Sequence, residues 1–456
     1  MTVARRLAEF LGGLAPAELP AQALDHAAML VASTLASAAL GRDIASARIV
    51  RDLARERGGR PDASVWFEAG ARLPVDAAAQ VNAVMSDAAA SDDSDLRAIV
   101  HCGTPLVATA LAFAERDGIA GEDVLAAIVL GYEAAGRIGD GVTPGFRDRG
   151  FHGCLIAIFA AAVAAGRLLK LKPEGLARTI ALAATSIGGL AAAANTSVAR
   201  EYHAGLAVAL GIGAALAAGR GFATEEAILE TEGGFFAVYG PGNPEAVLAD
   251  LGGSWDIVTD MAVKLVPGGH PYHALAEAAA KAARDGSIAA AEIAEIVVSR
   301  PGMTRLGGPL HPKDLIDMAH SPAYFTAAGA ADRDFSWIHA TPEKIADPAI
   351  HRLIDKIVVG PPPADPAPYR QGATVTLRTH DGRSSTATVH LPKGSGALGI
   401  AWADIDAKYR ALVPHAGVAP AGVEASLDLI RRLRGGGSVV ADILAHLAAE
   451  HPVRPA

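Results

Sequence analysis

Apolar residues recur at helical spacing in one Ala- and Gly-rich segment after another through the first 265 residues, and this limits the folds open to the chain more than any other feature. The segments run from Gln22 to Leu40, Pro105 to Asp117, Asp123 to Ile138, Ile156 to Leu169, Pro173 to Ala193 and His203 to Ala218, with Gly, Pro or short polar clusters between them. Glu122 and Asp123, and Glu225 and Glu226, fall where a helix N-terminus favours negative charge. Hydrophobic residues make up 51% of the chain and aromatics only 5%, so the apolar surface is carried by small side chains, which let helices approach closely. A chain of 456 residues exceeds one ordinary core and implies two or three domains.

The texture changes near residue 266. Residues 291–299 and 353–360 alternate and are β-branched, as strands are. Residues 373–389 read as a hairpin turning at Asp381-Gly382. Ala274 to Ala283 and Ser321 to Ala331 read as helices among these strands, and Trp402 to Leu412 and Val423 to Ala449 return to helical texture. The expected fold is mainly α with a smaller α/β domain: a helical domain over 1–265, an α/β lid domain over 266–400, and C-terminal helices over 401–456 that rejoin the first.

A net charge of -9 offers no basic surface for nucleic acid. Two cysteines, Cys102 and Cys154, are too few for a disulfide framework or a thiolate-held cluster, and they point to a reducing, cytoplasmic setting. The N-terminal apolar run is broken by Arg5, Arg6 and Glu9, as in an amphipathic helix rather than a signal peptide. The apolar stretches 154–169, 178–194 and 204–219 are short and Ala/Gly-rich, and read as buried helices rather than membrane spans.

Chemistry concentrates at four histidines in three small-residue or turn-rich settings. They are Val100-His101-Cys102-Gly103-Thr104-Pro105, Arg149-Gly150-Phe151-His152-Gly153, and the run Lys264 to His273 that holds His270 and His273. Imidazole exchanges protons near neutrality, and flanking glycines let a ligand reach the backbone. Arg200 and Lys264 lie beside the same apolar segments, which suits a pocket for a small polycarboxylate. His270 and His273 are spaced like two metal ligands, but no third ligand is evident and Pro271 weakens a helix there, so no metal site is assigned.

Several segments together resemble the MmgE/PrpD family over nearly the whole chain. They are Asn82 with Asp92-Asp93-Ser94 and His101, the run Ala126 to Ile138, Gly150-Phe151-His152-Gly153, Arg200 to Gly205, Lys264 to His270, and the hairpin with Pro392-Lys393-Gly394-Ser395. The resemblance implies a homodimeric enzyme acting on citrate-like acids without metal or other cofactor. It implies catalytic roles for His101, His152 and Lys264, and substrate contacts for Asp93, Ser94, Arg200, His203, His270 and Tyr324. Ala90 stands where the family often has an acid, Ser94 where it has Thr, and Arg200 where it has Lys. Arg offers a planar fork and cannot act as a base, so these departures suit a changed substrate or reaction.

Each residue also has a plainer reading. Asp92, Asp93 and Ser94 could orient a histidine or hydrogen-bond a substrate hydroxyl, but residues 91–95 also read as a plain polar loop and cap sequence; either histidine could satisfy a helix end, Lys264 could be a solvated lysine and Arg200 an interhelical ion pair. Cys102 suits a small packed residue better than a nucleophile, and His320 joins Tyr324 as a candidate contact. Dehydration of a 2-methylcitrate-like hydroxy acid is the first expectation, by proton abstraction next to a carboxylate. Decarboxylation of a cis-aconitate-like acid, epimerisation of an iminodisuccinate-like acid and a non-catalytic member of the fold are the alternatives.

Overall fold

A computed structural model of the chain describes residues 1–449 except 187, 197 and 198, and leaves out the side chains of 194–196. It is mainly helical, with a smaller α/β part. Two compact units form. The first comprises Met1–Ala88, Asp92–Val263 and Ile405–Ala456; the second comprises Ala89–Ser91 and Lys264–Asp404.

The first unit is a helical assembly. Helix Val3–Gly13 opens it, capped by the Thr2 hydroxyl, which accepts the Arg5 N–H at 3.2 Å. Ala21–Gly41 is buried on almost every side, as a helix with no polar stripe must be. Cys154–Leu168 is buried at every residue except Arg167 and packs on Gly121–Asp140 and Arg200–Gly219. Each fully buried Ile or Leu in such a helix stabilises the fold by about 2 kcal/mol. Among the described residues, two helices, Ala21–Gly41 and Arg200–Gly219, are long and apolar enough to cross a membrane by length and composition. The most apolar stretch of the former is 89% buried within the protein, as in a core helix.

The expected helix from Pro173 to Ala193 ends at Ala184, and a short helix, Ala191–Thr196, follows. The backbone between them is tightly packed at Gly188 and Gly189. A Cβ on Gly188 would lie 2.4 Å from the Leu155 backbone nitrogen, and one on Gly189 would lie 2.0 Å from the His203 ring. The first 263 residues are also not purely helical. Ala63–Ser64 pairs with Arg72–Leu73, and Asp93–Asp95 pairs antiparallel with Met261–Val263.

In the second unit, helices His270–Asp285 and Pro322–Asp332 pack together with strands over one apolar core. Four strands form a mixed sheet in the order Ile357–Val359, Ile293–Ser299, Ala373–Thr379, Ser384–Val389. The first two are parallel, with Ile296 opposite Ile357, and the other neighbours are antiparallel. The 373–389 hairpin forms, but with three residues in its loop. Gly382 N–H donates to Thr379 O, Thr379 N–H donates to Arg383 O, and Gly382 takes φ +87°, so a bulge replaces the two-residue turn. The strand expected over 353–360 shrinks to Ile357–Val359, because Asp347 caps a helix Pro348–Ile354 by accepting the Ala349 N–H at 2.8 Å.

Candidate active site

Four chain segments of the first unit build the site. Strand Asp93–Asp95 fixes the first. The Asp93 carboxylate is 1% exposed; its Oδ1 accepts the Gly103 N–H at 2.8 Å and its Oδ2 accepts the Tyr132 hydroxyl at 3.1 Å. Asp93 therefore ties the strand to the start of helix Gly103–Asp117 and holds the intervening turn. That turn carries His101.

His101 Nδ1 donates to the Asp93 carbonyl at 2.7 Å. An Asp92 carboxylate oxygen lies 2.7 Å from the same nitrogen, and Ser94 Oγ lies at 3.4 Å. All three neighbours are acceptors or hydroxyls, so the ring proton sits on Nδ1 and the lone pair on Nε2. Asp92 is buried, and its carboxylate faces the ring at that nitrogen.

His152 lies in the second segment, just before helix Cys154–Leu168. Its backbone N–H donates to Gly189 O at 2.7 Å, and Ala191 N–H donates to Gly150 O at 2.9 Å, so the turn is clamped to the 188–191 segment. The Cys154 N–H at the helix start donates to His152 Nδ1 at 3.4 Å, which leaves the ring proton on Nε2. Burial first, then His101, His203, Arg200 and Arg147, lower the His152 pKa to about 2. The ring is neutral at any physiological pH and serves as a hydrogen-bond donor.

Helix Arg200–Gly219 brings Arg200 and, one turn on, His203. The His203 ring centroid lies 4.9 Å from that of His152, and His152 lies 6.3 Å from His101. Arg200 Nε donates to Asp87 Oδ2 at 2.9 Å, and Nη2 donates to the Asp87 carbonyl at 2.8 Å. Burial works against the guanidinium charge, but Asp87, Asp92 and Glu201 more than offset it and hold the pKa above its usual value. A cavity opens among these groups, lined by Asp87, His101, Thr104, His152, Cys154, Ala157, Arg200 and Ala204.

The remaining expected site residues belong to the second unit. Lys264 is buried directly after strand Met261–Val263. His270 opens helix His270–Asp285, 5.2 Å from the His273 ring. Pro271 sits in the first turn, where a missing N–H costs nothing, so the helix forms where the sequence argued against it. Tyr324 is a correction: it is fully buried in the core of this unit, and its hydroxyl donates to His339 O at 2.8 Å. His320 Nδ1 lies 2.8 Å from the Ile316 carbonyl. His273 places its ring nitrogens at 2.9 Å from Val266 O and 3.2 Å from His270 O, and burial lowers its pKa to about 4.

His152, Cys154 and His203 bring ligand atoms within 4.8 Å of one another, a donor set that soft divalent ions take. The thiol does not suit that role, since burial raises its pKa to about 11 and Gly189 N–H donates to its sulfur at 3.2 Å. Sequence reasoning missed Asp87, Thr104 and Cys154 as cavity residues. Asp87 had a signal: it is an acid in the last turn of the apolar helix Val75–Ala88, where the helix dipole disfavours negative charge.

The helical unit with its histidine-lined cavity and the separate α/β unit are the features on which comparison with known proteins bears. The chain matches the MmgE/PrpD N-terminal domain over residues 5–247 and the MmgE/PrpD C-terminal domain over residues 267–431, and it belongs to that family. Among curated relatives, it is 26% identical over 419 residues to the cis-aconitate decarboxylase-like protein oryM of Aspergillus oryzae, covering 86% of each chain. It is 28% identical over 273 residues to the cis-aconitate decarboxylase of Aspergillus terreus, covering 56% of this chain and 55% of that one.

Proposed function

We propose that the protein is a lyase that decarboxylates a small polycarboxylate, with proton transfer at a carbon next to a retained carboxylate. The observation that carries this reading is the asymmetry of the two imidazoles on the cavity wall. His101 has a carboxylate 2.7 Å from Nδ1 and its Nε2 turned away from that partner, the arrangement of an acid–base imidazole. His152 is locked neutral with its proton on Nε2. Decarboxylation needs one proton donor and one fixed dipole. The bond to the departing carboxylate breaks, carbon dioxide leaves, and the electron pair delocalises toward the retained carboxylate. The His152 Nε2–H stabilises the charge that accumulates there, and Arg200 supports it. The His101 imidazolium then gives its Nε2 proton to carbon and takes another from solvent.

Dehydration, the first expectation from sequence, asks more of these groups. A base must remove the carbon proton while an acid protonates the departing hydroxyl, and a neutral His152 is a poor acid. The names of both relatives also support decarboxylation. The test is to incubate the protein in deuterium oxide with cis-aconitate, 2-methylcitrate, citrate and iminodisuccinate. Carbon dioxide release with one deuterium in the product supports the reading. Water loss from a hydroxy acid would replace it with dehydration, exchange at unchanged composition would replace it with epimerisation, and inertness toward all four would favour a non-catalytic member of the fold.

A further inference from the structure

The second unit carries a chain of polar contacts through two histidines that the lyase scheme does not use. His311 lies in the irregular stretch between strand Ile293–Ser299 and helix Leu315–Ala319, and His351 lies in helix Pro348–Ile354. His311 Nε2 lies 3.0 Å from Asp355 Oδ1, and His351 Nε2 lies 2.7 Å from the Ile345 carbonyl. A carboxylate and a carbonyl only accept, so in each neutral ring the proton sits on Nε2 and the lone pair on Nδ1. The two Nδ1 atoms face each other at 2.9 Å, with the ring planes 14° apart. Two lone pairs so placed repel, and a cation between them removes the repulsion. A shared proton does this by charging one ring, whereas a metal ion does it with both rings neutral.

We propose that His311 and His351 are the two protein ligands of a site for a divalent first-row transition ion, zinc, nickel or copper, with water completing the coordination. Imidazole suits these ions, whereas magnesium prefers oxygen ligands. The outer contacts are those that ligating histidines make: the second ring N–H is given to a carboxylate or a backbone carbonyl, which fixes the tautomer and aims the ligating nitrogen. Ligands at about 2.1 Å from one ion stand about 3.0–3.4 Å apart, so the two nitrogens must open and converge on it. A tilt of the His311 ring, whose side chain is 45% exposed, supplies this and lets water reach the ion. The ion ties the irregular 300–314 stretch to helix Pro348–Ile354, so its role is structural rather than catalytic, and it does not depend on the lyase reading.

The test is zinc binding to the full, tag-free chain, first stripped with chelator and dialysed, measured by calorimetry near neutral pH. The expected result is one saturable site for zinc and none for magnesium. His311→Ala and His351→Ala each abolish it, and Asp355→Ala, which leaves both ligands in place, weakens it by about tenfold or more. His311 lies in a surface loop, so its variant keeps the fold, which circular dichroism checks. Copper(II) bound at the site shows splitting from two imidazole nitrogens in its electron paramagnetic resonance spectrum; one nitrogen or none overturns the assignment. Zinc binding that survives both alanine variants places the ion elsewhere, with His152, Cys154 and His203 as the competing set, and overturns the inference. A wild-type protein that takes up no zinc overturns it too, and leaves a shared proton as the link between the rings.

Discussion

His101 and His152 are both imidazoles on the wall of one cavity, yet their surroundings give them opposite chemistry. Asp92 sits at the Nδ1 nitrogen of His101, whereas a helix-start N–H points at Nδ1 of His152. The sequence showed both histidines through their glycine-flanked settings, and Asp92, Asp93 and Ser94 alike as residues able to orient one of them. It did not show which tautomer each would adopt, because that depends on partners placed by folding. Asp93 and Tyr324 mark the same boundary: a motif position does not reveal whether a polar side chain faces the cavity or, as here, satisfies buried backbone. Asp92→Asn should therefore lower kcat by roughly 100-fold or more with little change in KM, since it removes the carboxylate that faces His101 Nδ1. A kcat within a few-fold of wild type, with the fold intact by circular dichroism, would take Asp92 out of the mechanism.

At the scale of elements, the long helices were legible because apolar spacing, caps and glycine punctuation agree. Ala21–Gly41, Cys154–Leu168 and Arg200–Gly219 lie within a few residues of the segments read from periodicity. The failures come where tertiary contact overrides local preference. Asp93–Asp95 reads as a polar loop but is a buried strand, because Met261–Val263, more than 160 residues away, supplies its backbone partners. The Pro173 to Ala193 segment reads as one helix but stops at Ala184, and the 188–189 backbone packs against Leu155 and His203. That break is functional in position, since the same segment clamps His152 and donates to Cys154 Sγ. Gly189→Ala should destabilise the protein by about 1–3 kcal/mol through overpacking against the His203 ring. Turnover should fall as well, through displacement of the His152 turn. Urea midpoints and steady-state kinetics on the variant check this; unchanged values for both would mean that the segment yields without disturbing His203.

The whole molecule carries two sets of buried titratable groups whose pH effects oppose each other. Burial lowers the pKa of His26 and His203, that of His152 to about 2 and that of His273 to about 4. Unfolded, each would protonate near 6.5, so as pH falls below that value the unfolded state binds more protons and stability declines. Burial also raises Asp95 to about 6, and Glu133, Glu201 and Glu277 to about 7. These acids stay protonated in the fold after the unfolded chain has released its protons, so their contribution is present at low pH and is lost as pH rises through about 4 to 7. Between about pH 4.5 and 6.5 the two sets act in opposite directions. Below about pH 4 the acids are protonated in both states, and the His152 penalty stands without that counterweight. The expected profile of urea midpoint against pH is thus a broad plateau from about pH 4.5 upward, then a steep acid limb. His152→Gln should make that limb shallower, because the variant has one less neutral imidazole to protect from acid. A wild-type midpoint that falls steadily from pH 6.5 to 4.5 would show that the histidines outweigh the acids. An acid limb unchanged by His152→Gln would show that His152 is protonated in the folded protein, which would also remove the neutral donor on which the decarboxylation scheme depends.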